Sequence, residues 1–108
     1  MIKYLDEYQT LAAESAVFPK YVALMYLALK LNGEAGEVAE LVGKHIRGDE
    51  DKKDIKDALV KELGDVMWYI AMLADHVDVH LSNVATTNIN KLRDRQNRNV
   101  VKGSGDNR

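Results

Sequence analysis

No cysteine occurs among the 108 residues. That absence excludes a disulfide framework and thiolate chemistry, and it fits a reducing cytosol. Proline occurs once, at Pro19, so the rest of the chain is free of the residue that breaks helix interiors. Long hydrophobic runs are missing too. The most nearly apolar stretch, residues 21–31, contains Lys30 and is too short to span a bilayer. Asp6 and Glu7 fall where a secretory leader would need its apolar centre. Neither sign of charge dominates, the formal net being −2, which argues against nucleic-acid binding by bulk charge. There is no strand-like alternation, internal repeat or second domain. These absences predict a cytoplasmic, soluble protein without membrane or nucleic-acid partners.

What remains is 46% hydrophobic and 30% charged, sufficient for one core in a chain of this length. Apolar residues recur at helical spacing. A first amphipathic helix is predicted over 4–17, with Pro19 ending it or opening the next. A long second helix is predicted over 21–47, closed by Gly48, with Gly33 and Gly36 inside it. Such glycines cost about 1 kcal/mol each relative to Ala, and they permit either close approach of a backbone or ligand or a local kink. Residues 49–53 form a charged run expected to be a solvated loop. Asp54 is the predicted N-cap of a third helix over 55–77. A turn over 78–82 leads to a fourth helix ending near residue 98. The expected architecture is an all-α, four-helix bundle filling residues 1–100, with 101–108 a flexible tail.

Two helices carry acids on the wrong side. On a helical wheel Leu27, Leu31, Val38 and Leu41 lie within roughly 60° of Glu34, with Glu37 beside them. Ile55, Leu59, Val66, Tyr69 and Leu73 surround Glu62 in the same way, with Asp65 adjacent. A lone Glu on an apolar stripe is ordinarily at its edge, reaching solvent. Two such pairs on neighbouring helices, with few basic residues near them, predict a bound divalent cation. Glu40 points elsewhere and pairs by spacing with Lys44.

The fourth helix has the opposite sign. Asn88, Lys91 and Arg95 share one face. They are either a basic surface stripe favoured by the helix dipole or donors to an anionic ligand. His76 and His80 have zinc-ligand spacing but no accompanying acid or Cys motif, so a zinc site is not expected there.

Oxygen ligands without His or Cys suit a hard cation, Mg²⁺ or alternatively Mn²⁺. Such clusters serve phosphoryl and nucleotidyl chemistry. The di-iron carboxylate bundle is disfavoured, because no Glu-x-x-His accompanies either motif. Glu34-x-x-Glu37, a gap of 24 residues and Glu62-x-x-Asp65 resemble the signature of MazG-like nucleotide pyrophosphohydrolases. The flanks agree: Gly33 to Glu40, Glu62 to Tyr69, Asn88 to Leu92 with Arg95, the opening Tyr8-Gln9 and the closing Gly-Ser-Gly-Asp-Asn-Arg.

The resemblance implies an all-α NTP pyrophosphatase fold that hydrolyses a nucleoside triphosphate to monophosphate and pyrophosphate. By that carry-over Glu34, Glu37, Glu62 and Asp65 bind Mg²⁺, and Glu37 or Glu34 polarises the attacking water. Asn88, Lys91 and Arg95 contact phosphates, while Gln9, Phe18 and Tyr69 receive the base. Gln9 and Phe18 stand where some deoxycytidine-preferring relatives use His and Trp, so no dCTP preference is implied. The competing readings are a phosphoribosyl-ATP pyrophosphohydrolase and a non-catalytic helical metal-binding interaction module. Residues 21–31 and 66–74 are apolar nearly all the way round, which predicts a homodimer or homotetramer.

Overall fold

The computed structural model describes residues 1–48 and 52–107, and of residues 52–54 the backbone only; no strand occurs among them. Helix α1 spans Leu5–Ala13, a 3₁₀ turn Lys20–Val22, α2 Ala23–Ile46, α3 Lys52–His76 and α4 Leu81–Asn97. All four predicted helices are present. Their ends differ from expectation in two instructive places.

Helix α1 stops short of residue 17. Its exit tightens into three successive bonds back three residues, Glu14 to Leu11, Ser15 to Ala12 and Ala16 to Ala13. The Ser15 hydroxyl donates to the Ala12 carbonyl at 2.9 Å. A short hydroxylated side chain that competes for a backbone carbonyl favours such an ending. Helix α3 already runs at Lys52, so Asp54 sits inside its first turn and is not the cap. Of the expected charged loop, residues 49–51 lie outside the described residues. Gly48 closes α2 as predicted, at φ +86°, a left-handed geometry open to glycine at no steric penalty.

Helices α2 and α3 form a long hairpin, each about 36 Å at 1.5 Å per residue for their 24 and 25 residues. The core lies at one end of it only. Ala12, Leu27, Ala71, Met72 and Leu81 form the buried cluster, and Tyr8, Phe18, Tyr26, Trp68, Tyr69 and Leu73 pack around it. Helices α1 and α4 cover this end.

The join between α1 and α4 explains why the short helix docks where it does. The α4 N-terminus has no side-chain cap of its own. Instead the Leu81 N–H donates to Gln9 Oε1 at 2.9 Å and the Ser82 N–H donates to Asp6 Oδ1 at 2.9 Å. Two residues a turn apart on α1 thus satisfy N–H groups that every helix start leaves open. The Ser82 hydroxyl adds a bond to Asp6 Oδ2 at 2.6 Å.

The far arm of the hairpin has no such cover. Val42 is 37% exposed, Ile46 79% and Val60 62%. The radius of gyration is 16.5 Å, against about 13 Å expected for a self-contained domain of this size. The accessible surface is 8250 Å², where roughly 6,000 Å² would be typical of a monomer of this mass. One chain leaves an apolar arm unburied.

Candidate functional site

The acids meet near the middle of α2 and α3. Carboxylate oxygens of Glu34, Glu62 and Asp65 lie within 4.8 Å of one another. This is the one such group of three found among the described residues. Glu34 and Glu62 are half-buried, whereas Glu37 and Asp65 are exposed. The acids therefore line the rim of the apolar stripe rather than its floor, which amends the wheel-based expectation that all four face the core. Glu37 stands outside the trio but within electrostatic reach of Glu62.

Glu62 feels its neighbours most. Burial pushes its carboxyl above the ordinary range, and the charges of Asp65, Glu37 and Glu34 push it further. Among the described residues, no cation is one of the groups that act on it. Tyr8 is raised by burial and then by Asp65, and Tyr69 by burial, Tyr26 and Glu34. Burial disfavours the ionised form of both phenols, and Tyr69 is in addition hydrogen-bonded with Tyr26. Beside the acids the helices are open: a Cβ built at Gly33, Gly36 or Gly64 would meet nothing within 4 Å. Of the two roles expected for Gly33 and Gly36, no close approach by another described part of the chain occurs. The open space borders the carboxylates.

A cleft of about 410 Å³ adjoins the cluster, lined by Ser15, Val17, Phe18, Tyr26, Glu34, Asp65, Trp68 and Tyr69. Its walls are aromatic. Phe18 and Tyr26 stack with centroids 6.1 Å apart, and Trp68 meets Tyr69 edge-on at 4.9 Å. Trp68 is held by bonds from its indole N–H to the Ala12 carbonyl at 3.2 Å and the Ser15 hydroxyl at 3.1 Å. Phe18 also faces a second cleft of about 380 Å³, shared with Lys20, Met72, Asp75 and His76. Of these walls, Phe18 and Tyr69 are expected from the sequence, whereas Tyr26, Trp68 and Ser15 are not. Tyr26 and Trp68 lie two turns and one turn from an acid along their own helices, whereas Ser15 carries no sequence signal and reaches the cleft from the exit of α1.

Other expected site residues are placed elsewhere. Gln9 is buried, with its amide nitrogen donating to the carbonyls of Ala71 at 3.3 Å and Val79 at 3.0 Å, while its oxygen takes the Leu81 N–H. That amide is committed to the backbone, so Gln9 holds the fold rather than a base. Asn88 and Lys91 line a separate cleft on α4 with Val79, Asn83, Val84 and Thr87. It shares no lining residue with the aromatic cleft. Arg95 is 4% exposed and faces the tail, not open solvent. Glu40 pairs with Lys44 at 3.3 Å on the exposed face, as its spacing indicated. Among the described residues, His76 and His80 join no group of metal-ligand type.

Oxygen-only ligands, three within a few ångströms and a fourth acid near, fit a hard divalent cation by number and type. The fold and this cluster define an all-α protein with an acidic group suited to a divalent cation. More particularly, residues 24–100 match the model of the MazG nucleotide pyrophosphohydrolase domain, and the chain belongs to that family. It is also 45% identical over 114 aligned positions to the Gene 37 protein of Mycobacterium phage L5, an alignment covering 97% of this chain and 99% of that protein. No solved structure matches.

Proposed function

We propose that the protein is a cytoplasmic, Mg²⁺-dependent nucleoside triphosphate pyrophosphohydrolase, with a (d)NTP and water as substrates and (d)NMP and pyrophosphate as products. The observation that supports this reading best is the Glu34–Glu62–Asp65 cluster opening onto an aromatic cleft of nucleotide-base size. Glu34, Glu62 and Asp65 would hold the cation, with Glu37 as the fourth acid. When bound, it would neutralise the triphosphate oxygens and lower the pKa of an attacking water.

The protein's own groups have separable tasks. Glu37, exposed and outside the trio, is the acid free to accept a proton from water, with Glu34 as the alternative. The water oxygen forms a bond to the α-phosphorus as the bond from that phosphorus to the bridging oxygen of pyrophosphate breaks. The electron pair leaves with pyrophosphate. Phe18, Tyr26, Trp68 and Tyr69 would stack on the base, an interaction worth about 1–3 kcal/mol per base and tolerant of its identity. Asn88 and Lys91 are the accessible donors on α4 for phosphate oxygens.

Product identification tests the reading. With Mg²⁺, stoichiometric pyrophosphate should appear from at least one (d)NTP, and EDTA should abolish it. Release of orthophosphate would mean attack at another phosphorus and would overturn the assignment.

A further inference from the structure

The tail beyond α4 does not run free over residues 101–107. Helix α4 ends in a double-bonded closure. The Val100 N–H donates to the Arg95 carbonyl at 2.8 Å, and the Asn99 N–H donates to the Gln96 carbonyl at 3.1 Å. Asn99 takes the left-handed conformation, φ 58°, that this closure needs. Gly103 and Gly105, at φ 131° and 83°, then turn the chain back along the helix it has just left.

The return brings Asp106 onto two cations one helical turn apart. Arg95 donates through one Nη2 to the carbonyls of Asp106 at 3.0 Å and Gly105 at 3.4 Å, and to Asp106 Oδ1 at 3.3 Å. Lys91 Nζ donates to the same Oδ1 at 3.0 Å. The Lys91 hydrogen bond and charge, then Arg95, hold the Asp106 carboxyl below its usual range, so it remains a carboxylate through neutral pH. Arg95 is buried and tied to main-chain carbonyls, so its task is to anchor the tail. Lys91 is different. It is a third exposed at its side chain, and it lines the α4 cleft of about 380 Å³ with the donors Asn83, Thr87 and Asn88.

We propose that the tail is a strap that positions Lys91 for a polyphosphate anion, with Asp106 as the positioning residue. A lysine ammonium on four rotatable bonds loses conformational freedom when it binds. A carboxylate anchored through Arg95 removes much of that freedom in advance, which strengthens anion binding without touching the anion. A built-in competitor would have the opposite sign: an Asp106 carboxylate that occupied Lys91 Nζ in place of the anion would tighten anion binding when removed.

The proposal rests on the pyrophosphohydrolase reading, but its test does not require turnover. Inorganic pyrophosphate with Mg²⁺ is titrated calorimetrically into the full chain and into Lys91→Ala, Asp106→Ala, Asp106→Asn and the Lys91→Ala/Asp106→Ala double variant. Immobilising one side chain corresponds to roughly three- to tenfold in affinity. Asp106→Ala should lose that much, Asp106→Asn less, and the double variant no more than Lys91→Ala alone. Melting temperatures show that each variant is folded. Unchanged or tighter binding by both Asp106 variants would overturn the proposal, as would additive losses or a wild type that does not bind pyrophosphate. A wild type that binds in this pattern but hydrolyses no triphosphate would sink the enzymatic reading and leave the strap standing.

Discussion

Glu62 sits between two exposed acids and one half-buried one, and no cation among the described residues answers the like charges around it. Replacing it in the metal-free protein should relieve repulsion: Glu62→Gln in EDTA should melt above wild type at pH 7, and the order should reverse when Mg²⁺ is added. A variant that melts lower in EDTA would show that the cluster is not strained by its own charge. Catalysis sorts the acids differently. Glu37→Gln and Asp65→Asn should each lower turnover about a hundredfold or more, with the fold kept. Glu40→Gln should do far less, since Glu40 is engaged with Lys44 on the exposed face; equal losses at Glu37 and Glu40, read in steady-state kinetics, would refute that sorting. Asp6 gives a pH signature of its own. Hydrogen bonds from Ser82 hold its carboxyl below the usual carboxylate range. A depressed folded-state pKa contributes stability above the unfolded value and loses it as pH falls through the folded one. Asp6→Asn should therefore melt lower than wild type at pH 7, with the gap closing below about pH 4.

At the scale of elements, α1 is short and weakly amphipathic, and its place is set by polar bonds as much as by burial. Gln9 links it to the α3 backbone and to the start of α4 in one amide. Truncating it leaves buried carbonyls and an N–H unmatched, at about 1–3 kcal/mol for such a group. Gln9→Ala should lower stability by that order in urea titration and reduce activity by loosening the wall that carries Phe18. Helix α2 offers the converse. A Cβ at Gly36 meets nothing, so Gly36→Ala should stabilise the helix by up to about 1 kcal/mol. If the open flank receives substrate, the same variant should raise KM. A stabilised variant with unaltered kinetics would show that the opening has no role.

At the scale of the molecule, the excess surface and the bare arm of the hairpin have a common physical remedy. An apolar two-helix arm is covered most simply by the same arm of a second copy about a two-fold axis. Homodimerisation, or a tetramer built from such dimers, is the expected working state. Sedimentation equilibrium at low micromolar concentration should find no active species at the chain mass of 12.1 kDa. An active monomer would overturn this and would require the arm to be stable while exposed.

The helices, their order and the paired acids of α2 and α3 follow from local spacing, because a helix repeats every few residues and its faces can be counted. The amino-acid order determined that Glu34 and Glu37 share one helix face and Glu62 and Asp65 another, and it determined the resemblance to MazG-like enzymes. It did not determine depth. Whether a stripe acid is at the floor or the rim depends on how closely two helices approach, and that placed Glu37 and Asp65 in the open. Long-range polar bonds were equally illegible. The resemblance places Gln9 at the base, yet its partners lie 62, 70 and 72 residues away, and only the closed fold reveals that its amide is already used. The tail shows the same limit, since Gly103 and Gly105 look like signs of mobility until Arg95 is found buried beneath the turn they make. Local pattern decides which residues lie side by side on one element. Tertiary packing decides which of them remain available for chemistry, because hydrogen-bond capacity and burial are exhausted by partners distant in the chain.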